Sequence, residues 1–166
     1  SEGRGELGVI TSARLVKFYK DIMAEYDRMQ FAYLAIKLIA SASEMVNEPE
    51  WYEILAEVLD GLGSLQMPLE LIRTWFYLRY SALMGYELSL QLDVNGDRLS
   101  AESRYKYDTE NRGLALSAAG NITSEHIKLL RLISTKSLKV LSQIGGMAAI
   151  LPDCVLLAQE HAAIPE

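Results

Sequence analysis

One cysteine, two histidines and four prolines are all that this 166-residue chain carries of those residue types. The lone Cys154 excludes an internal disulfide and any zinc site built on several cysteines. Its setting, Pro152-Asp153-Cys154-Val155-Leu156-Leu157, reads as a small buried residue in a helix and not as a nucleophile. A chain without disulfides fits a reducing compartment, so the cytoplasm is the expected location. His126 and His161 stand in no catalytic or metal-ligand spacing, and no Gly-x-Ser-x-Gly, His-Glu-x-x-His, Walker or dinucleotide-binding motif occurs. No apolar run reaches the roughly 18 residues of a membrane span, and no secretory leader pattern opens the chain. Internal repeats and low-complexity tracts are missing too. The first residue is not Met, so the natural protein is expected to be longer.

Two stretches resemble chemistry without supplying it. Asp93-Val94-Asn95-Gly96-Asp97 has the look of a calcium loop, but its glycine falls at the fourth position and Arg104 stands at the twelfth, where glutamate belongs. Glu50, Glu53 and Glu57 are spaced along one helix face, as a solvated acidic stripe would be. These absences point to a binding or scaffolding domain without catalysis, metal or cofactor.

Charge is unevenly placed. The formal net charge is -6, which disfavours wrapping of nucleic acid by this chain alone. Between Leu38 and Ile72 there is no Lys or Arg, but there are Glu44, Glu48, Glu50, Glu53, Glu57, Asp60 and Glu70. From His126 to Pro152 the balance reverses, with Lys128, Arg131, Lys136 and Lys139 and no acid, which makes that block the candidate contact for an anion or DNA.

With 50% hydrophobic and 23% charged residues, the chain can bury one sizeable core. Residues 1–166 read as a single mainly α domain, a bundle of about six or seven helices with a small β insert at about 87–118. Helices are expected over 7–86 and again over 122–164. Thr11 reads as a helix cap, with Ile10 and Leu15 as its hydrophobic staple. The apolar periodicity that follows, through Tyr26 and on to Val46, exceeds one ordinary helix, so a bend is expected near Asp27. Asn47 is placed to cap the next helix, which runs to Gly61 or Gly63. Pro68 opens another. After Gly85, Leu88, Leu90, Leu92 and Val94 alternate with polar residues, and Asn95-Gly96 follows as a two-residue hairpin signal. Tyr105-Lys106-Tyr107 and Leu114-Ala115-Leu116 read as further short strands. Ile122 and Ile127 are spaced as a staple for the helix beginning at Thr123, and a last helix is expected from Asp153 to Ala162.

The helix after Pro68 is rich in aromatics and apolar on two sides. Leu69, Ile72, Phe76, Tyr80 and Leu83 form one face, and Leu71, Trp75, Leu78 and Ala82 a second, the pattern of a central helix. Its wording, Phe76-x-Leu78-x-x-x-x-Leu83-x-Gly85-Tyr86, resembles the Phe-Glu-Leu…Leu-Gly-Tyr segment in the C-terminal domain of the RecO family of bacterial recombination mediators. Ile10 to Val16 is similar to the family's passage from an N-terminal OB-fold into its helical half. Tyr33-Leu34-Ala35-Ile36-Lys37-Leu38 resembles a Tyr-hydrophobic-Glu-Leu helix, with Lys37 where an acid is common. Gly85 to Ser117 resembles the zinc-ribbon-like insert, and Leu129-Leu130-Arg131-Leu132 the helix after it.

That resemblance implies a domain assisting RecA loading on single-stranded DNA, with RecR, DNA and the acidic, Phe-ended tail of single-stranded DNA-binding protein as partners. It implies an OB-fold upstream of residue 1, through which DNA is mainly bound. The zinc cysteines of many family members are absent from this insert, so no zinc is expected. A tail of that kind needs an apolar slot with cations beside it. Arg73, Phe76, Arg79 and Tyr80 on the central helix are the candidates, with Lys128, Arg131, Lys136 and Lys139 extending the surface or touching phosphates. Two other readings stand beside this one. A regulator's helical ligand-binding or dimerisation domain would line a pocket with Trp75, Phe76, Tyr77 and Tyr80. A helical enzyme would use Glu50, Glu53 and Glu57. The oligomeric state is open.

Overall fold

A computed structural model describes residues 2–164, with the side chains of the first helix described continuously from Met23. Six helices and one two-stranded sheet occur among those residues: α1 (Glu2–Met45), α2 (Glu50–Gly63), α3 (Leu69–Leu83), β1 (Tyr105–Asp108), β2 (Gly113–Leu116), α4 (Ser124–Thr135), α5 (Leu138–Leu141) and α6 (Leu151–Ala162). The fold is thus mainly α with a small β insert, as the sequence implies.

The expected bend near Asp27 does not occur. Helix α1 runs 44 residues without a break, and Thr11 lies inside it instead of capping its start. No Pro or Gly interrupts residues 9–48, and the site expected to bend is where the helix is clamped. Arg28, the residue after Asp27, is buried and donates four hydrogen bonds to the C-terminal end of α2. Its Nε reaches Leu62 O at 3.0 Å, Nη1 reaches Met67 O at 2.9 Å, and Nη2 reaches Gly61 O and Ser64 O at 2.9 and 2.8 Å. Leu62 O is an orphan acceptor of the α2 end, Met67 O lies in the loop after it, and the guanidinium sits at the negative pole of the α2 dipole. The Ile10–Leu15 staple lies outside the described residues. Asn47 is not the cap of α2 either. Pro49 is, without a side-chain bond, and Glu50 and Glu53 face the positive pole in the first turn.

Helix α3 is the axis of the molecule. It packs most extensively on α6 and also meets α1, α2, α4 and α5. Leu71, Ile72, Trp75, Phe76, Tyr77 and Leu78 are all buried on it, which is what two apolar faces require. Its buried hydroxyls are satisfied locally, Thr74 by Glu70 O at 2.6 Å and Ser81 by Leu78 O at 3.2 Å. Phe31 of α1 meets Phe76 and Tyr77 edge-on at 5.6 and 5.9 Å, and Trp51 of α2 meets Tyr80 at 5.6 Å.

In the insert, only the second pair of expected strands forms a ladder. β1 and β2 pair antiparallel, Tyr105 opposite Leu116 and Asp108 opposite Gly113, with Arg112 in the left-handed region (φ 54°) closing the turn. Residues 87–91 alternate in exposure as a strand would, but the single bridge Leu92–Arg98 is the only pairing nearby. The Asn95-Gly96 turn is also not the two-residue type. Gly96 alone takes positive φ (86°), Gly96 N–H donates to Asp93 O at 3.0 Å, and Asp93 N–H donates to Asp97 O at 2.7 Å. This is the longer loop that ends in a glycine bulge. The Asp93 carboxylate fixes it by accepting from the N–H groups of Asn95 and Asp97.

The insert is locked to α6 through a buried histidine. His161 Nε2–H donates to Tyr86 O at 2.6 Å, so its Nδ1 accepts from the Tyr107 hydroxyl at 2.9 Å. Arg112 donates to His161 O at 2.9 Å and lies over the Tyr86 ring at 4.3 Å. Helix α4 starts at Thr123, where His126 Nδ1 accepts the Thr123 N–H at 3.1 Å and Nε2 bonds Asp153 at 3.1 Å. Ile122 and Ile127 are both buried beside this cap, where a staple puts them. Helix α6 begins at Leu151, two residues before the expected Asp153, because Pro152 fits the first turn of a helix.

Candidate functional site

Arg73 and Arg79 are six residues apart on α3, so at about 100° per residue they emerge about 120° apart around the helix axis. One slot therefore does not receive both. Arg79 turns toward the C-terminal end of α4. Its Nη2 donates to Ile133 O and Lys136 O at 3.1 and 2.8 Å, and its guanidinium lies over Trp75 at 4.9 Å. Trp75 Nε1 donates to the same Lys136 carbonyl at 3.0 Å. Arg79 thus closes a helix end, as Arg28 does. Burial lowers its pKa, with Glu57 and Glu87 opposing that shift. The cavity beside it, about 410 Å³, is rimmed by Glu50, Glu53 and Glu57 and would repel an acidic peptide. Burial raises the Glu57 pKa, against the pull of a backbone bond from Leu138 and the charge of Arg79.

Phe76 is completely buried and Tyr80 half-buried, 5.8 Å apart between ring centroids. Both pack into the α1–α2 side of the core, where no partner meets Phe76 in the folded chain.

Arg73 points the other way, into a groove of about 620 Å³ bounded by α1, α3 and α6. Phe31, Leu34 and Leu38 give it an apolar wall, Lys37 stands on the α1 rim, and no Asp or Glu lines it. Arg73 is held in place by Gln159, whose Oε1 accepts from Nη2 at 3.1 Å, with the Tyr77 hydroxyl at 3.4 Å. Its Nε and Nη1 make no bond among the described residues, so two faces of the planar fork stay available to a carboxylate. Lys37, Leu34, Leu38 and Gln159 were not among the sequence candidates for this site. Lys37 carried a signal, a cation where the resembling family often has an acid.

The basic block divides. Lys128 and Arg131 line a separate groove between α4 and residues 87–91, whereas Lys136 ends α4 and Lys139 lies exposed on α5. Among the described residues, no three His, Cys, Asp or Glu side chains come together as a metal would need. Cys154 is buried, and burial pushes its thiol pKa up to about 12, so it is no nucleophile. No described helix is long and apolar enough to cross a membrane.

Residues 23–154 match the family described as recombination protein O, C-terminal. The chain belongs to the RecO family. It is similar to the DNA repair protein RecO of Chlorobium limicola, 30% identical over 162 residues, a match covering 86% of this chain and 62% of that protein. The chain therefore spans about three fifths of the length of that relative. No solved structure matches it. The match covers α3 and the insert, whose wording carried the resemblance, and also Lys37 and Arg73.

Proposed function

We propose that this chain is the helical adaptor of a DNA repair and recombination mediator, a non-catalytic part that holds the acidic, Phe-ended tail of single-stranded DNA-binding protein in the groove between α1, α3 and α6. One observation carries the reading: Lys37 and Arg73 stand over an apolar wall with no carboxylate beside them. The terminal Phe lies against Leu34, Leu38 and Phe31, and the tail's carboxylates meet the two cations, Arg73 being preset by Gln159. Membership of the RecO family supports the repair role. RecR binding and assistance to RecA loading belong to the same reading, with DNA bound mainly through an OB-fold of the natural protein. Lys136 and Lys139, exposed beyond the α4 groove, are the candidates for additional phosphate contacts.

The test is a fluorescence-anisotropy titration of a labelled acidic peptide ending in Asp-Asp-Ile-Pro-Phe, with and without the last Phe. Removing the Phe, or making Arg73→Ala or Lys37→Glu, is expected to weaken binding about tenfold, the equivalent of one charge-assisted hydrogen bond. Affinity that ignores the Phe and both substitutions would move the site elsewhere. No binding at low salt, where attraction is least screened, would remove this function.

A further inference from the structure

The groove between residues 87–91 and α4 has no role in that reading, yet at about 860 Å³ it is larger than either groove beside α3 (about 620 and 410 Å³). Leu88 and Leu90 are buried along it, Leu132 of α4 is 38% exposed, and Glu87, Ser89 and Gln91 face solvent. This is strand alternation without a strand partner. Among the described residues, the backbone N–H and C=O groups of Leu88 and Ser89 make no hydrogen bond. Arg131 fixes the segment to α4 by donating Nε and Nη2 to Leu90 O at 3.0 and 2.8 Å, leaving Nη1 without a bond. One turn earlier, Lys128 is paired only with Glu125, at 3.5 Å and with both side chains two-thirds exposed (66% and 68%), an arrangement worth little in water.

We propose that this groove is a second peptide site, where an extended acidic segment of a partner protein lies along residues 87–91 as an added strand. Free backbone groups give such a strand its register, the leucines receive its alternate side chains, and Lys128 and Arg131 face its carboxylates. Single-stranded DNA is the weaker fit. No aromatic side chain lines the groove to stack a base, and a nucleic acid offers no backbone N–H row to pair with the free groups of residues 88 and 89. The site stands on its own residues and is independent of the tail groove at Arg73.

The experiment is an amide-resolved NMR titration of the whole chain with three probes: the acetylated, amidated peptide Glu-Val-Asp-Val-Glu, its alternately N-methylated form, and oligo-dT. The expected result is saturable shifts at residues 87–91 and 128–135 with the first peptide. N-methylation should abolish them, and Lys128→Glu, on the exposed face, should weaken binding about five-fold. Shifts confined to residues 30–41 and 73–77 would assign the peptide to the other groove and overturn the proposal. So would no shift at millimolar peptide, equal binding of the N-methylated form, or oligo-dT moving the same amides more strongly.

Discussion

Replacing Arg28 with methionine keeps an unbranched apolar stem, two atoms shorter than arginine, and removes the charge and all the donors. Four carbonyls then lose a partner. Gly61 O and Ser64 O keep backbone bonds, from Ser64 N–H at 3.1 Å and Met67 N–H at 3.0 Å, but Leu62 O and Met67 O keep none among the described residues. Two unsatisfied buried acceptors at about 1–2 kcal/mol each, plus about 1 kcal/mol for charge at the α2 C-terminus, give a loss of about 3–5 kcal/mol. That is a large share of a small domain's stability. Lysine in its place offers three donors from one point and cannot span carbonyls at both ends of the fork, so about half the loss is expected to remain. Denaturant unfolding followed by the fluorescence of the two tryptophans, both buried (Trp51 and Trp75), measures it. A change under about 1 kcal/mol for Arg28→Met, or a lysine variant as stable as the parent, would refute the clamp. Unchanged stability with α1 bent at Asp27 would restore the expectation from periodicity.

Three other outcomes follow from the packing. A Cβ at Gly120 would overlap the Tyr105 carbonyl, so Gly120→Ala is expected to cost about 2–4 kcal/mol and to raise hydrogen exchange in β1, whereas Gly145→Ala, in open space, should cost little. Burial, and secondarily Arg112, hold the His161 pKa below its usual value against the bond to Tyr86 O. Its contribution is then full above the unfolded value of about 6.5 and is lost as pH falls through that value toward the lower folded one. Unfolding free energies of the parent and His161→Gln that run parallel from about pH 8 to 5 would sink this account. Arg79→Ala should lower stability by about 1–2 kcal/mol through the freed Ile133 carbonyl, Lys136 O keeping its bond from Trp75, yet leave tail-peptide affinity within about two-fold for the fraction that stays folded, a separation that melting curves and anisotropy would read together.

What the sequence disclosed, and what it withheld, divides along the range of the interactions. Periodicity placed α3 at the centre, because a helix apolar on two sides has one stable environment. Turn chemistry located the β1–β2 ladder, which is a local matter. The bend near Asp27 failed because helix length was judged without Arg28, whose partners lie 33 to 39 residues away. The 87–91 segment, whose one backbone–backbone bond among the described residues is Leu99 N–H to Gln91 O, failed as a strand for a similar reason: alternation specifies a two-sided environment, and here α4 with Arg131 supplies one side without a ladder. At the candidate site, residue types were legible but directions were not. Helical phase separates Arg73 from Arg79, and only the fold brings Lys37 and Gln159 to Arg73.

Arginines at every depth of this chain bond backbone carbonyls, from buried Arg28 to exposed Arg112. Arg28, Arg79, Arg112 and Arg131 all donate to backbone oxygens, and among the described residues His126 meets Asp153 through a hydrogen bond and the exposed Lys128 pairs with Glu125. The acidic stretch from Glu44 to Glu70 is therefore left facing water with few counter-charges of its own. Added salt then acts oppositely on folding and on binding. Screening eases repulsion along that acidic face while leaving the short arginine–carbonyl bonds untouched, so stability holds or rises. The same ions are expected to weaken the proposed hold of Lys37 and Arg73 on an acidic ligand. On the proposed function, ionic strength thereby becomes a dial that releases a bound partner without loosening the molecule that held it.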